Sequence, residues 1–419
     1  MTRGAGPSHG AYLSLMPPES TYFRKGFGLK TEVQDTLTAD YDGHLVDLLL
    51  ARDHTLVAGP VTIRLAKEFG FCYGVERAVE YAYQTRAKFP DRRIFLAGEI
   101  IHNPHVNAKL REMGVVFLKP SDKGFDYSQV APADVVILPA FGVTIHDFET
   151  LRAIGCVMVD TTCGSVLNVW KRVEAYAKDG FTSLIHGKYY HEETRATASQ
   201  AEKYPSGTYL VVRDMRQAED VIAYIEGRFA GGRDAFIAAY AHAASPHFDP
   251  DIHLRRVGVA NQTTMLARES LAIGEAVGAA MARAHGEAHR LEHFRTFDTI
   301  CSATQDRQDA VNALLTEPLD LMLVIGGYNS SNTISLAALC AERVRTFHVE
   351  DAAGIDPARG VVHHRDLADG KEVETADWMP MDRPVRIGLT AGASTPNNKI
   401  GETVARVLAT RGVDVAAIG

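Results

Sequence analysis

The chain has 419 residues, 46% of them hydrophobic, with a net charge of −8 and a pI near 6.1. That length can bury a large core and suits two or three domains. The acidic balance argues against a nucleic-acid partner, and no uninterrupted apolar run approaches membrane-spanning length.

Residues 1 to about 20 are rich in Gly, Pro and Ser and read as poorly ordered, without an apolar signal core. A mixed helical pattern covers Thr31–Arg52. Strands are expected at Val61–Leu65, Ile94–Ala97, Val135–Leu138, Val157–Val159, Ser183–His186 and Thr208–Val212. More follow at Val257–Ala260, Phe294–Phe297, Leu321–Ile325, Thr346–Val349 and Val385–Thr390. Helical periodicity marks Val75–Lys88, Val166–Lys178, Ala267–His285 and Gln305–Leu315. Residues 229–256 read as an inserted loop or weak helix, and 351–384 as a polar connection. The alternation predicts an α/β fold of βαβ units with mostly parallel sheets.

Three of the five cysteines stand in one kind of place. Cys72, Cys163 and Cys301 each follow a short apolar or β-branched run and precede a helical segment. That is the strand-to-helix turn at the C-terminal edge of a sheet, where α/β sites are built. Cys163 and Cys301 also share an Asp-Thr-x-Cys signature. Three such turns can bring three thiolates to one metal centre with a coordination position left open. Five cysteines are too few, and odd in number, for a disulfide framework, and free thiols suit a reducing cytoplasm. Zinc competes, but structural zinc sites favour close Cys-x-x-Cys pairs, absent here. Cys156 and Cys340 read as small buried hydrophobes.

Two further constellations sit at strand ends. Asn329-Ser330-Ser331-Asn332 and Thr390-Ala391-Gly392-Ala393-Ser394 expose backbone amides, hydroxyls and carboxamides before helical segments, an arrangement that favours an anion. Neither is a Walker turn and no Gly-x-Gly-x-x-Gly is present, so a nucleotide is not indicated. Glu99-Ile100-Ile101-His102 and His191-Glu192-Glu193-Thr194 pair histidines, which can donate to phosphate, with carboxylates, which can carry a proton. Most of the 17 histidines must be structural or surface residues.

Together these blocks resemble the 4-hydroxy-3-methylbut-2-enyl diphosphate reductase (LytB) family. The resemblance runs from about Val61 to Leu408. It rests on Gly70-Phe71-Cys72-Tyr73-Gly74-Val75, Glu99-Ile100-Ile101-His102-Asn103, Asp160-Thr161-Thr162-Cys163, His191-Glu192-Glu193-Thr194, Asn261-Gln262-Thr263-Thr264, Cys301-x-Ala303-Thr304-Gln305-x-Arg307-Gln308 and the two anion-type turns. The N-terminal extension and the stretch before Val257 resemble the longer plant and cyanobacterial branch.

The resemblance implies three pseudo-equivalent α/β domains around a central iron–sulfur cluster. The expected division is an extension over 1–60, a first domain over 61–165 joined by 385–419, a second over 166–297 and a third over 298–384. It implies one 4Fe–4S cluster held by Cys72, Cys163 and Cys301, degrading to 3Fe–4S in air. Diphosphate would be held by His102, His191, Ser330, Asn332 and Ser394, with Ser331 near it. Glu193 matches the proton donor, and Thr263 the threonine beside the substrate hydroxyl. The implied reaction is reductive dehydroxylation to isopentenyl and dimethylallyl diphosphate, with ferredoxin or flavodoxin as electron donor.

Two positions depart from many bacterial members. Phe141 stands where they carry a histidine, and Gly164-Ser165 follows Cys163 where they carry proline. Lys188, in the turn leading to His191, is the candidate replacement for that missing donor. A non-catalytic iron–sulfur sensor or scaffold, and a zinc hydrolase on the same thiols, are the competing readings.

Overall fold

The computed structural model describes residues 21–121, 124–297 and 299–418. The expectation for residues 1 to about 20 lies outside the described residues. So does Asp298 of the Asp-Thr-x-Cys signature.

Three main sheets carry the fold, and each expected strand lies in one of them. The first runs Tyr22–Phe23, Val157–Asp160, Val135–Leu138, Ile94–Leu96, Val115–Phe117, all parallel. The second runs Thr208–Val212, Thr182–His186, Val257–Asn261, Phe294–Thr296, also parallel. Thr182–His186, Val257–Asn261 and Val135–Leu138 are buried at every position. That is the signature of strands covered by helices on both faces.

The third sheet has eight strands and is parallel at its centre. Val385–Ala391 lies between Leu321–Ile325 and Val61–Leu65. Val61–Leu65 thus shares a sheet both with the C-terminal strand Val385–Ala391 and with Leu321–Ile325. Val61, Ile63 and Leu65 pack with Leu323, Ile325 and Ile387 in one apolar cluster. The next helix, Tyr73–Lys88, instead buries Ala78, Val79 and Ala82 against the first sheet. The chain therefore crosses from one body to another at Cys72.

The extension is structured where it is described. Lys30–Tyr41 and His44–Ala51 are helices, and Thr55–Ala58 pairs antiparallel with Val61–Leu65. Two other stretches differ from expectation. Residues 351–384 contain a hairpin, Val361–Arg365 with Glu372–Ala376, at the edge of the third sheet. Its outer strand is largely exposed, so its residues carry polar side chains that mimic a loop. Residues 229–256 form the helices Gly232–Tyr240 and Pro250–His253, anchored by buried Phe236, Tyr240 and Phe248. Cys156 and Cys340 are buried in apolar clusters. No helix among the described residues is long and apolar enough to cross a membrane.

Candidate active site

Each of the three strand-to-helix cysteines occupies the N-cap of the helix behind it. Cys72 precedes Tyr73–Lys88, Cys163 precedes Gly164–Lys178, and Cys301 precedes Ser302–Leu314. An N-cap normally spends its side chain on the helix's free amides. Here none of the three makes a side-chain capping bond of ordinary geometry, and the Cys72 and Cys301 thiols stay beside the helix-start amides of Val75 and Thr304. All three line one cavity between the sheets, with Gly74, Phe141, Glu193, Thr263, the Ser330-Ser331-Asn332 turn and Ser394. Three positive helix ends lie against that space.

Neighbouring helices hold the cysteine loops. Arg307 donates to the carbonyls of Gly70 at 2.6 Å and Phe69 at 3.3 Å, just before Cys72. Arg77 donates to the Thr162 carbonyl at 2.6 Å, just before Cys163. Sequence reasoning misses both arginines as positioning groups, because their targets are backbone atoms far along the chain. Thr304 Oγ1 lies 3.0 Å from Cys301 Sγ. Gly74 is needed for space: a Cβ there would stand 2.5 Å from Cys163 Sγ and 4.0 Å from Cys72 Sγ. Burial raises the Cys72 thiol and pushes Cys301 up to about 11. A cationic metal core would reverse that preference and take thiolates.

The thiols are spaced widely for a single ion. Among the described residues, the one His/Cys/Asp/Glu trio with ligand atoms all within 4.8 Å is His102, His191 and Glu192. Sulfurs around one zinc stand about 3.8 Å apart, given Zn–S of about 2.3 Å. The donor set, three thiols lining one cavity, fits an iron–sulfur core by its chemistry.

Glu193 opens the helix Glu192–Ser199 and is fully enclosed. Its Oε1 accepts the Thr263 amide at 2.6 Å. Burial raises its carboxyl to about 7, against the opposing Thr263 bonds and the His102 charge. A carboxyl poised there can give up a proton at neutral pH. The Thr263 carbonyl also accepts from the Cys301 amide at 3.4 Å, tying the acid's partner to the thiol loop.

The histidines form the opposite wall. His102 Nδ1 meets Glu99 Oε2 at 2.9 Å, and its Nε2 lies 3.5 Å from Glu192 Oε2. Burial disfavours the His102 cation, but the two carboxylates outweigh it and raise His102 to about 9. Burial and the His102 charge together lower His191. The Glu193 amide donates to His191 Nδ1 at 3.1 Å, so neutral His191 carries its proton on Nε2. His191 Nε2 lies 3.2 Å from His102 Nε2, so the two ring N–H groups face one shared space. An acceptor placed there would take a bond from both rings. The trio therefore suits an anion. Phe141 stacks on His102 with centroids 4.4 Å apart, so it packs the ring that it cannot replace as a donor.

The two anion-type turns complete this wall. Ser394 Oγ donates to the His102 carbonyl at 3.2 Å and lies 3.4 Å from Ser330 Oγ. Asn332 Oδ1 accepts the Ala393 amide at 2.9 Å, and its Nδ2 lies 3.5 Å from Thr304 Oγ1. Lys188 Nζ reaches Ser331 Oγ at 3.1 Å. Gln262, quoted in the sequence without a role, is fully buried and joins three elements. It accepts from the Lys188 amide and Thr194 Oγ1, each at 3.1 Å, and donates to Thr264 Oγ1 at 2.9 Å.

The model of the LytB protein family matches residues 63–408. The chain is 48% identical over 397 residues to the 4-hydroxy-3-methylbut-2-enyl diphosphate reductase of Gloeobacter violaceus, covering 94% of this chain and 93% of that one. It is 47% identical over 404 residues to the reductase of the same name from Thermosynechococcus vestitus, covering 96% and 98%. Among solved structures, a reductase titled (E)-4-hydroxy-3-methyl-but-2-enyl diphosphate reductase matches at 26% identity with a TM-score of 0.50, covering 82% of this chain and 98% of that one. The fold is shared with the Plasmodium falciparum reductase at a TM-score of 0.60 and 22% identity, covering 83% and 87%. The chain belongs to the LytB family.

Proposed function

We infer that the protein is a 4-hydroxy-3-methylbut-2-enyl diphosphate reductase, removing the allylic hydroxyl to give isopentenyl and dimethylallyl diphosphate. The observation that carries this reading is one cavity with three N-cap thiols, an enclosed carboxyl near neutrality and a wall of anion donors. The match covers 93% and 98% of two curated relatives that bear that activity in their names. A sensor or scaffold would need the thiols but not Glu193 or the anion wall.

Cys72, Cys163 and Cys301 would hold a 4Fe–4S cluster, leaving one iron without a protein ligand. When bound, such a cluster would supply electrons and a Lewis-acidic iron. The protein's own residues supply the rest. His102, His191, Ser330, Asn332 and Ser394 would bind the diphosphate, with Ser331 beside them, and so align the allyl group with the thiol end. Glu193 gives its proton toward the leaving oxygen, with Thr263 next to it, so that hydroxide departs as water. Two electrons and two protons balance the replacement of the allylic C–OH by C–H with release of water, the double bond being kept or shifted. The binding energy of the diphosphate, remote from the reacting carbon, holds it in place.

A small one-electron carrier of the ferredoxin or flavodoxin kind would deliver the electrons. Five free cysteines suit a reducing cytoplasm. The test is anaerobic purification and assay with the allylic diphosphate and a strong one-electron donor. Iron, sulfide and formation of both products are expected. A colourless zinc-loaded protein, or an iron-loaded one without turnover, would overturn the reading.

A further inference from the structure

Lys188 is a half-buried ammonium without an anion. Among the described residues no carboxylate lies within the 4.0 Å of an ion pair with its Nζ. The charges that act on it most are Arg365 and Arg213, both positive, and its own charge acts in turn on His191. Arg213 is spent on Asp214, with contacts of 3.1 and 3.0 Å. Arg365 forms no ion pair among the described residues. A partly desolvated cation among cations is costly unless an anion joins it.

The side chain is aimed, not loose. Its own amide is held by Gln262 Oε1 at 3.1 Å, and its carbonyl accepts the His191 amide at 2.9 Å. Gly187 before it has no room for a Cβ, which would stand 2.8 Å from Thr194 Oγ1. From this turn of the second sheet, Nζ crosses to Ser331 Oγ on the third body at 3.1 Å. Ser331 lines the cavity between Ser330 and Asn332. Asn332 faces Thr304 and the Cys301 end, whereas the Ser331 hydroxyl faces Lys188. The ammonium therefore stands beyond Ser331, and two of its three protons are left for a ligand.

We propose that Lys188 binds the terminal phosphate of the substrate and sets the preference for a diphosphate over a monophosphate ester. This rests on the reading of the cavity as an allylic diphosphate site. With the allyl group at the thiols, the first phosphate lies among Ser330, Asn332 and the histidines, and the second reaches Lys188 and Ser331. A monophosphate leaves Lys188 unpaired.

The test compares the holoenzyme with Lys188→Gln, Lys188→Met and Lys188→Arg. Lys188→Gln retains a donor for Ser331 but no charge, so a merely structural role predicts wild-type affinity. Roughly a 10- to 100-fold rise in KM is expected for both neutral variants, with kcat changed far less and iron content intact. Lys188→Arg should recover part of the loss. Competition with inorganic diphosphate and inorganic phosphate reads the preference directly: the neutral variants should lose affinity for diphosphate and little for phosphate. An unchanged KM in Lys188→Gln, or equal losses for both anions, overturns the proposal. Absence of turnover and binding in the wild type would instead overturn the functional reading.

Discussion

Glu193 Oε1 accepts the Thr263 amide at 2.6 Å inside a cavity that also holds three thiols. A bond of that kind favours the carboxylate, yet burial wins and leaves the carboxyl near pH 7. The same group can thus be loaded with a proton and can release it at neutral pH.

Glu193→Gln keeps the shape and an acceptor for Thr263 but has no acidic proton. Turnover should fall by roughly 10²- to 10⁴-fold, the usual range for a positioned acid. Iron content and absorption spectrum should not change. In the wild type, kcat should fall as pH rises through about 7, because the protonated form donates. Turnover within twofold of wild type would place the proton source elsewhere, with Glu192 the next carboxyl in line.

The same burial has a stability consequence in the metal-free protein. The carboxyl is raised from its ordinary value of 4.5 to about 7. Between those values the folded state binds more protons than the unfolded, so stability falls as pH rises. Above pH 7 the deficit is on the order of 3 kcal/mol, at about 1.4 kcal/mol per unit. Glu193→Gln should therefore match wild type near pH 4.5 and denature at higher urea than wild type at pH 8. Identical midpoints at pH 8 would argue against an enclosed, costly carboxylate.

Cys72→Ser, Cys163→Ser and Cys301→Ser should each strip most iron and abolish turnover, since a hydroxyl is a poor ligand for a soft iron–sulfide core. Cys156→Ser and Cys340→Ser should keep iron, their thiols being packed in apolar clusters away from the cavity. Iron and sulfide analysis decides the matter. Full loading in any of the first three would remove that residue from the ligand set.

Gly74→Ala tests the space between two thiols without removing either. The added methyl would stand 2.5 Å from Cys163 Sγ, and the sulfur must move. Iron retention after anaerobic reconstitution should drop, while the folded apo-protein persists. Undiminished loading would show that the Cys163 loop yields freely.

The anion wall is legible in the sequence as residue types but not as a network. His102 and His191 stand far apart in the chain, and nothing local says that their Nε2 atoms lie 3.2 Å from each other. The roles of Arg77 and Arg307 are hidden for the same reason: each bonds to backbone carbonyls of a distant loop, and a carbonyl has no residue type. Lys188 draws notice from its turn alone, and only the fold supplies its partner, Ser331.

Local periodicity by itself determined the central strands and the longest helices, but not the edge hairpin Val361–Arg365 with Glu372–Ala376. Ala267–His285 forms where its pattern places it and stops at Gly286, whose φ of 92° ends the helix. The cysteine turns, the acidic balance and the resemblance that names the family were also present in the sequence alone. What only the tertiary structure decided is which sheet a strand joins. Val61–Leu65 has the alternating burial of a strand, but while one edge pairs with nearby Thr55–Ala58, the other pairs with Val385–Leu389, more than three hundred residues on. Periodicity records which face of an element is apolar. It carries no address for the surface that covers that face, because apolar burial is non-directional. Long-range packing supplies the address. It carries the chain from the third sheet to the first at Cys72 and brings that thiol to the cavity shared with Cys163 and Cys301.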